Sequence, residues 1–412
     1  MITVNPAGPL IRTLRPRDPQ EAHRVATPLE LLTDLCFVVA VSQAATQLHH
    51  SFGEGEIAHG VIGFAMAFMA IWWTWLNFTW FGSAYDNDDV AYRLLTILQI
   101  VGALVIAAGV QSMFEGDLTL IVIGYIIMRI ALVIQWLRAS RHDPERAITC
   151  RRYAVGIIAV QLLWVIFLFL PEAMIIPAWV LIMLAEFAVP VFAERAVPTT
   201  WHPHHVAERY GLFFIIVLGE VILSTLTSLQ QVLTEPEVST GQVGEPGQEV
   251  GGLHLQHPEV LIVAAAGICI VFSLWWLYFS RSAASTLTQF RSGQSKQSYL
   301  WGYGHYLIFA SAAAIGAGLG VRIDYWNQDG HVSARASGAL VTVSIAVLLA
   351  MIWVLHLRYH DSSWRTLLPF GSAILIILAG TFTPVPELVA AAACVALLII
   401  EVRVAHLVGT EE

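Results

Sequence analysis

Two apolar stretches of the chain carry side chains that could bind a cation or hold a proton. In "LELLTDLCFVVAVSQ", 29–43, Glu30 and Asp34 stand four apart and so share a helix face. In "HVAERYGLFFIIVLGEVIL", 205–223, the residues His205, Glu208 and Arg209 lead into an apolar run that holds Glu220. A carboxylate within hydrocarbon costs roughly 2.5–3.5 kcal/mol on insertion scales, so each needs a partner or a function. Gln43, Thr46, Gln47 and His50 form a polar stripe on the outer half of the first segment. Ser224, Thr227 and Gln231 follow Glu220 by steps of four, three and four. Acids inward with amides or hydroxyls outward are the pattern expected of helices lining a hydrated path.

Other ionisable groups within apolar runs are Arg129, Glu186, His305 and Glu401. Arg129 is too deep to snorkel, so a carboxylate partner is expected, with Asp34, Glu186 and Glu220 as candidates. Structural roles compete with functional ones. Glu30, Glu194, Glu208 and Arg403 lie near segment ends, where headgroups could receive them. Arg129 with Glu186 could be a packing ion pair, and His305 beside Tyr303 and Tyr306 could be an interhelical hydrogen bonder. "WHPHHVAE" gathers His202, His204, His205 and Glu208, donors that suit transition metals. It lacks an HExxH pattern and Pro203 interrupts it, so no metal site and no cofactor are expected.

The elements that must position these groups are helices. The chain has 412 residues, 57% hydrophobic and only 12% charged, about half the charged fraction of a soluble protein. An all-α polytopic bundle is expected, with about twelve spans near 29–49, 58–80, 92–113, 118–138, 152–170, 173–194, 206–231, 258–280, 299–321, 337–357, 366–382 and 386–406. Pro384 and Pro386 leave little room after the eleventh. Arginines collect before span 1 and in the connections 4–5, 8–9 and 10–11, together with Lys296, which puts both termini in the cytoplasm. Opposite them stand only Arg322 and Arg335, with an outer loop near 232–257 that carries Glu235, Glu237, Glu245 and Glu249. Residues 1–27 lack an apolar core, so no cleavable signal peptide is expected. The scattered arginines give no support for nucleic-acid binding. Cys36, Cys269 and Cys394 fall in apolar helices and Cys150 in a cytoplasmic loop, all expected as free thiols.

A weak internal repeat is visible. "WWTWLNFTWF" at 72–81 is answered by "LWWLYFSR" at 274–281, "IQWLRASRHD" at 134–143 by "VLHLRYHD" at 354–361, and "LIMLAEF" at 181–187 by "ALLIIEVR" at 396–403. Six spans separate each pair. The expected organisation is a tail at 1–27, six-helix repeats in parallel orientation at 28–196 and 197–407, and a tail at 408–412.

The same two stretches carry a resemblance. They resemble the signature segments of the bacterial low temperature requirement A family, roughly L-E-L-F-F-D-L-V-F-V-x-A-x-x-Q and H-x-x-E-R-x-G-L-F-x-I-I-x-L-G-E. Glu30, Asp34, Phe37 and Gln43 match the first, with Thr33 where the family more often has Phe. His205, Glu208, Arg209, Gly211, Leu212, Phe213, Gly219 and Glu220 match the second. The family name records a growth phenotype and implies no chemistry. "TDLCFVVA", 33–40, also resembles the F-S-D first helix of a lysosomal and bacterial potassium-channel family, although Leu32 and Thr33 replace the Phe-Ser pair.

The expected protein is a multi-pass component of the bacterial plasma membrane that moves a small ion or solute, with proton coupling. Its expected site residues are Glu30, Asp34, Gln43, Arg129, Glu186, His205, Glu208, Arg209, Glu220 and His305, with Asp34 and Glu220 as the central polar groups and Arg209 and His205 at the cytoplasmic mouth. A cation channel is the alternative, and beyond transport an intramembrane or lipid-modifying enzyme or a membrane-state sensor. Expected partners are membrane lipids and the transported species, with a homodimer as one arrangement.

Overall fold

A computed structural model describes residues 11–21, 24–234, 258–292, 297–328 and 331–409. The acidic loop residues at 235–257 and Lys296 lie outside the described residues. Among the described residues the chain is all-helical: α1 (Pro28–Gly53), α2 (Ile57–Tyr85), α3 (Val90–Phe114), α4 (Thr119–His142), α5 (Ala147–Phe167), α6 (Ile175–Ala193), α7 (Pro203–Thr234), α8 (Pro258–Phe279), α9 (Ala283–Ser292), α10 (Gln297–Trp326), α11 (Ala334–Ile352), α12 (Trp364–Gly380) and α13 (Pro386–Gly409). A 3₁₀ turn precedes α6, and a five-residue π-helical turn, Trp353–Leu357, extends α11.

Local chemistry sets the ends. Thr27 and Glu30 exchange hydrogen bonds of 2.8 and 3.2 Å, a reciprocal cap at the start of α1. Asp89 accepts from the Tyr92 amide at 2.8 Å and opens α3. Pro203 and Pro386 begin α7 and α13, where a missing amide hydrogen costs nothing. So Pro203, expected to interrupt the histidine cluster, instead starts the helix that carries His205.

Among the described residues, ten helices are long and apolar enough to cross a membrane. α12, at 17 residues, is a shorter apolar helix. Leu94, Ile97, Val101 and Leu104 are exposed along one face of α3, a stripe suited to lipid, while Thr96, Gln99 and Ile100 are buried. The protein is a multi-pass membrane protein.

The chain forms two compact units. The first holds residues 1–47, 62–216 and 282–300, and the second 48–61, 217–281 and 301–412. In the first, α3, α4, α5 and α6 pack in succession. Where α3 meets α4, a Cβ on Gly102 would lie 2.7 Å from the Gly124 carbonyl, so only glycine permits that approach. Trp72, Trp73 and Trp75 are fully buried, hence packing groups and not interfacial anchors. In the second, α13 packs against α8, α11 and α12. α10 runs to Trp326, so Arg322, expected in an outer loop, is helical and buried; it meets Glu387 at 2.9 Å. Cys150, expected in a loop, is a buried residue of α5.

Candidate functional site

The first unit brings Glu30, Asp34, His205 and Arg209 together. The cap at Thr27 fixes Glu30 in the first turn of α1, and the four-residue step puts Asp34 on the same face. His205 and Arg209 are likewise four apart on α7. Arg209 Nη2 donates to Asp34 Oδ1 at 2.6 Å, and Nη1 lies 3.9 Å from Glu30 Oε1. His205 Nε2 stands 3.1 and 3.2 Å from the two Glu30 oxygens. α2 supplies the rest of the wall from one face: Trp75 Nε1 donates to Asp34 Oδ1 at 2.7 Å, and Thr79 accepts from Arg209 at 3.5 Å. Phe78 lies 5.5 Å from the guanidinium. Trp75 in turn stacks on Phe213, centroids 4.4 Å apart, which ties α2 to α7.

All four ionisable side chains are fully buried. Two carboxylates face one arginine, so the cluster balances its charge only with a further cation or with a proton on His205 or on a carboxylate. Its valences are also incompletely filled. Among the described residues, Glu30 Oε1, Asp34 Oδ2, Arg209 Nε and Nη1, His205 Nδ1 and Tyr92 Oη have no hydrogen-bond partner. Buried polar atoms left open cost about 1–3 kcal/mol each, so six in one place require water, an ion or a substrate group. Gly82 bounds the space: a Cβ there would sit 3.0 Å from Glu30 Oε1 and 3.2 Å from Tyr92 Oη. Glu30 is therefore not a headgroup residue.

Polar segments outside the helices close this end. Arg24 donates to the carbonyls of Ser83 and Gly82, and burial, then the nearby Arg17, lowers its pKa. Burial, reinforced by the Glu30 charge, pushes the Asp86 carboxyl up to about 6. His202 donates from Nε2 to the Glu21 carbonyl at 2.9 Å and accepts the His205 amide at Nδ1; burial lowers its pKa. Glu208 is half-buried and accepts the Ala26 amide at 3.1 Å, anchoring the segment before α1. Glu194 accepts from Trp80, Tyr153 and twice from Thr199, and burial raises its pKa despite them.

A second buried cluster in this unit answers the question of Arg129. Its partner is Glu186, at 3.1 Å. Glu186 also accepts from Trp73 at 2.8 Å, Tyr125 at 3.0 Å and Trp164 at 3.2 Å, so both oxygens are satisfied. Arg129 keeps Nε and Nη1 without partners among the described residues, but the guanidinium lies over the Tyr125 ring at 4.6 Å. This is the arrangement of a structural tie between α2, α4, α5 and α6.

Gln43 is exposed and does not join the first cluster. Glu220, in the second unit, is half-buried and accepts from Ser224 at 3.0 Å. His305, also there, is fully buried: Nδ1 donates to the Trp301 carbonyl at 2.7 Å, while Nε2 faces Tyr278 and His356, each at 3.1 Å. It is an interhelical hydrogen bonder. His356 lies in the π-helical turn, a partner that sequence periodicity does not point to. Trp75, Thr79 and Tyr92 were likewise missed as wall residues of the charged cluster; the 3-and-4 spacing of Trp75, Phe78, Thr79 and Gly82 was the available signal. Among the described residues no group of three or more His, Cys, Asp or Glu side chains is gathered to hold a metal ion.

The family model described as bacterial low temperature requirement A protein matches residues 25–402. An uncharacterized protein of Rhizobium meliloti (strain 1021) is 25% identical over 288 residues, 67% of this chain. The chain spans 64% of that relative's length. No solved structure matches. The match over nearly the whole chain, a range that includes Glu30, Asp34, His205 and Arg209, means that the chain belongs to the bacterial low temperature requirement A family.

Proposed function

We propose that this protein moves a small cation, or a solute together with a proton, across the bacterial plasma membrane, and that Glu30, Asp34, His205 and Arg209 form its polar centre. One observation carries the reading: a fully buried cluster of two carboxylates, one guanidinium and one imidazole in which six polar atoms have no hydrogen-bond partner among the described residues. A proton on His205, or a passing cation, would complete the charge. By contrast, the satisfied Glu186 reads as scaffold, and Arg129 with it. Glu208 holds the segment before α1, while Gln43 and Glu220 stand outside the cluster. Twelve spans in two parallel six-helix repeats, with both termini cytoplasmic, belong to the same proposal.

Purified protein in liposomes tests it. With imposed proton and alkali-cation gradients, the wild-type chain should dissipate at least one of them, read by a pH-sensitive or cation-sensitive dye. Vesicles that hold both gradients as long as protein-free ones would overturn the proposal.

A further inference from the structure

α8 carries Trp275 and Trp276 in its last turns before Phe279, and Ser280 and Arg281 follow it. α13 packs against it. On α13, Leu398, Glu401 and Val402 stand at i, i+3 and i+4, one face of the helix. They line a cavity of about 290 Å³ within the second unit, whose other wall is formed by Trp276, Ser280 and Arg281. That volume is near the lower end of ligand sites, roughly 300–1,000 Å³. Glu401 is only 4% exposed, and its Oε1 has no hydrogen-bond partner among the described residues. Arg281 lines the same cavity, half-buried, and no ion pair joins it to Glu401 among the described residues. Arg281 and Glu401 thus line one cavity without forming an ion pair, together with the apolar Trp276, Leu277, Leu398 and Val402.

The charges define the occupant. An anion placed on Arg281 would face Glu401, and a simple cation placed on Glu401 would face Arg281. A zwitterion satisfies both. The Glu401 carboxylate accepts N–H donors, which a primary ammonium has and a quaternary one lacks. The setting is that of a bilayer boundary: Trp276 is 51% exposed at a helix end, and Trp275, Ile399 and Ile400 next to the site are exposed as well.

We propose that this cavity is a headgroup site for a zwitterionic aminophospholipid, with its ammonium on Glu401 and its phosphate on Arg281. Leu398 and Val402 then flank the first methylenes of the acyl chains. The site is separate from the charged cluster of the first unit and does not depend on transport.

Native mass spectrometry of the detergent-purified full chain tests it, with lipids of matched acyl chains. Phosphatidylethanolamine should be retained about tenfold more tightly than phosphatidylcholine, with the mono- and dimethylated headgroups in between, because each methylation removes a donor. This series uses the unaltered protein, so no folding defect can mimic it. Glu401→Gln should erase the preference while phosphatidylglycerol retention and the melting temperature stay the same. Equal retention across the methylation series would overturn the proposal, as would a Glu401→Gln protein that folds and keeps the preference. Displacement of the lipid by equimolar glycerophosphoethanolamine would assign the cavity to a soluble zwitterion and overturn the lipid assignment.

Discussion

Replacing Asp34 by Asn and Glu186 by Gln makes the same chemical change in two buried clusters, and the structure separates the outcomes. Each change removes one carboxylate charge and keeps the shape. At Asp34 the arginine retains a second counter-ion, because Arg209 Nη1 lies 3.9 Å from Glu30. Coulomb's law at an effective dielectric constant of about 20 gives roughly 6 kcal/mol at the 2.6 Å Asp34 contact and roughly 4 kcal/mol at 3.9 Å. Losing Asp34 removes the shorter contact and leaves the longer one in place, so no buried cation is stranded and the loss of stability should stay below the roughly 3–5 kcal/mol of an unpaired buried charge. Glu186 is the ion-pair partner found for Arg129, whose exposure is 3%. Removing its charge strands a buried guanidinium, at about 3–5 kcal/mol. Adding Arg129→Met to Glu186→Gln should recover part of that loss, since no cation is then left unpaired. The assays are thermal unfolding in detergent and flux in liposomes. Asp34→Asn should fold with a modest drop in melting temperature and carry no flux. Glu186→Gln should melt well below it, and its folded fraction should transport. Normal flux with Asp34→Asn, or a melting temperature as low as that of Glu186→Gln, would refute the assignment of one cluster to function and the other to scaffold.

Three further outcomes are expected. Asp86, raised by burial from the ordinary 3.8 to about 6, binds its proton more tightly in the folded chain than in the unfolded one. Its contribution is full below pH 4 and is lost as the pH rises through 6, by at most about 3 kcal/mol, so melting curves of Asp86→Asn should show a shallower loss over that window than wild type. Gly102→Ala should lower the melting temperature, by the equivalent of about 1–3 kcal/mol, because its Cβ would meet the Gly124 carbonyl at 2.7 Å and neither backbone can yield alone. Gly219→Ala, where a Cβ meets nothing within 4 Å, is the control and should be neutral or stabilising. Glu145→Cys, at a side chain 68% exposed, should react with an impermeant thiol reagent only from the cytoplasmic side; labelling only from outside would reverse the proposed topology.

The sequence by itself determined the class of protein and most helices. Hydropathy is a sum over neighbouring residues, so runs of apolar side chains announce membrane helices without any knowledge of their partners. It also placed Glu30 with Asp34 on one face, because helical spacing is local. Ends were less legible where helices continue into polar sequence: α10 takes in Arg322 and α5 takes in Cys150, because Glu387 and tight packing offset costs that composition alone assigns to water. Pairing was decided by tertiary structure. The cost of a charge in hydrocarbon says that Arg129 needs a carboxylate, yet several carboxylates were candidates for it. Glu186 lies 57 residues from Arg129, and Asp34 lies 175 residues from Arg209. The same holds for Tyr92, Gly82 and Trp75, whose roles depend on which helices become neighbours. Helix periodicity fixes the direction in which a side chain leaves its own axis; only packing fixes what it meets there.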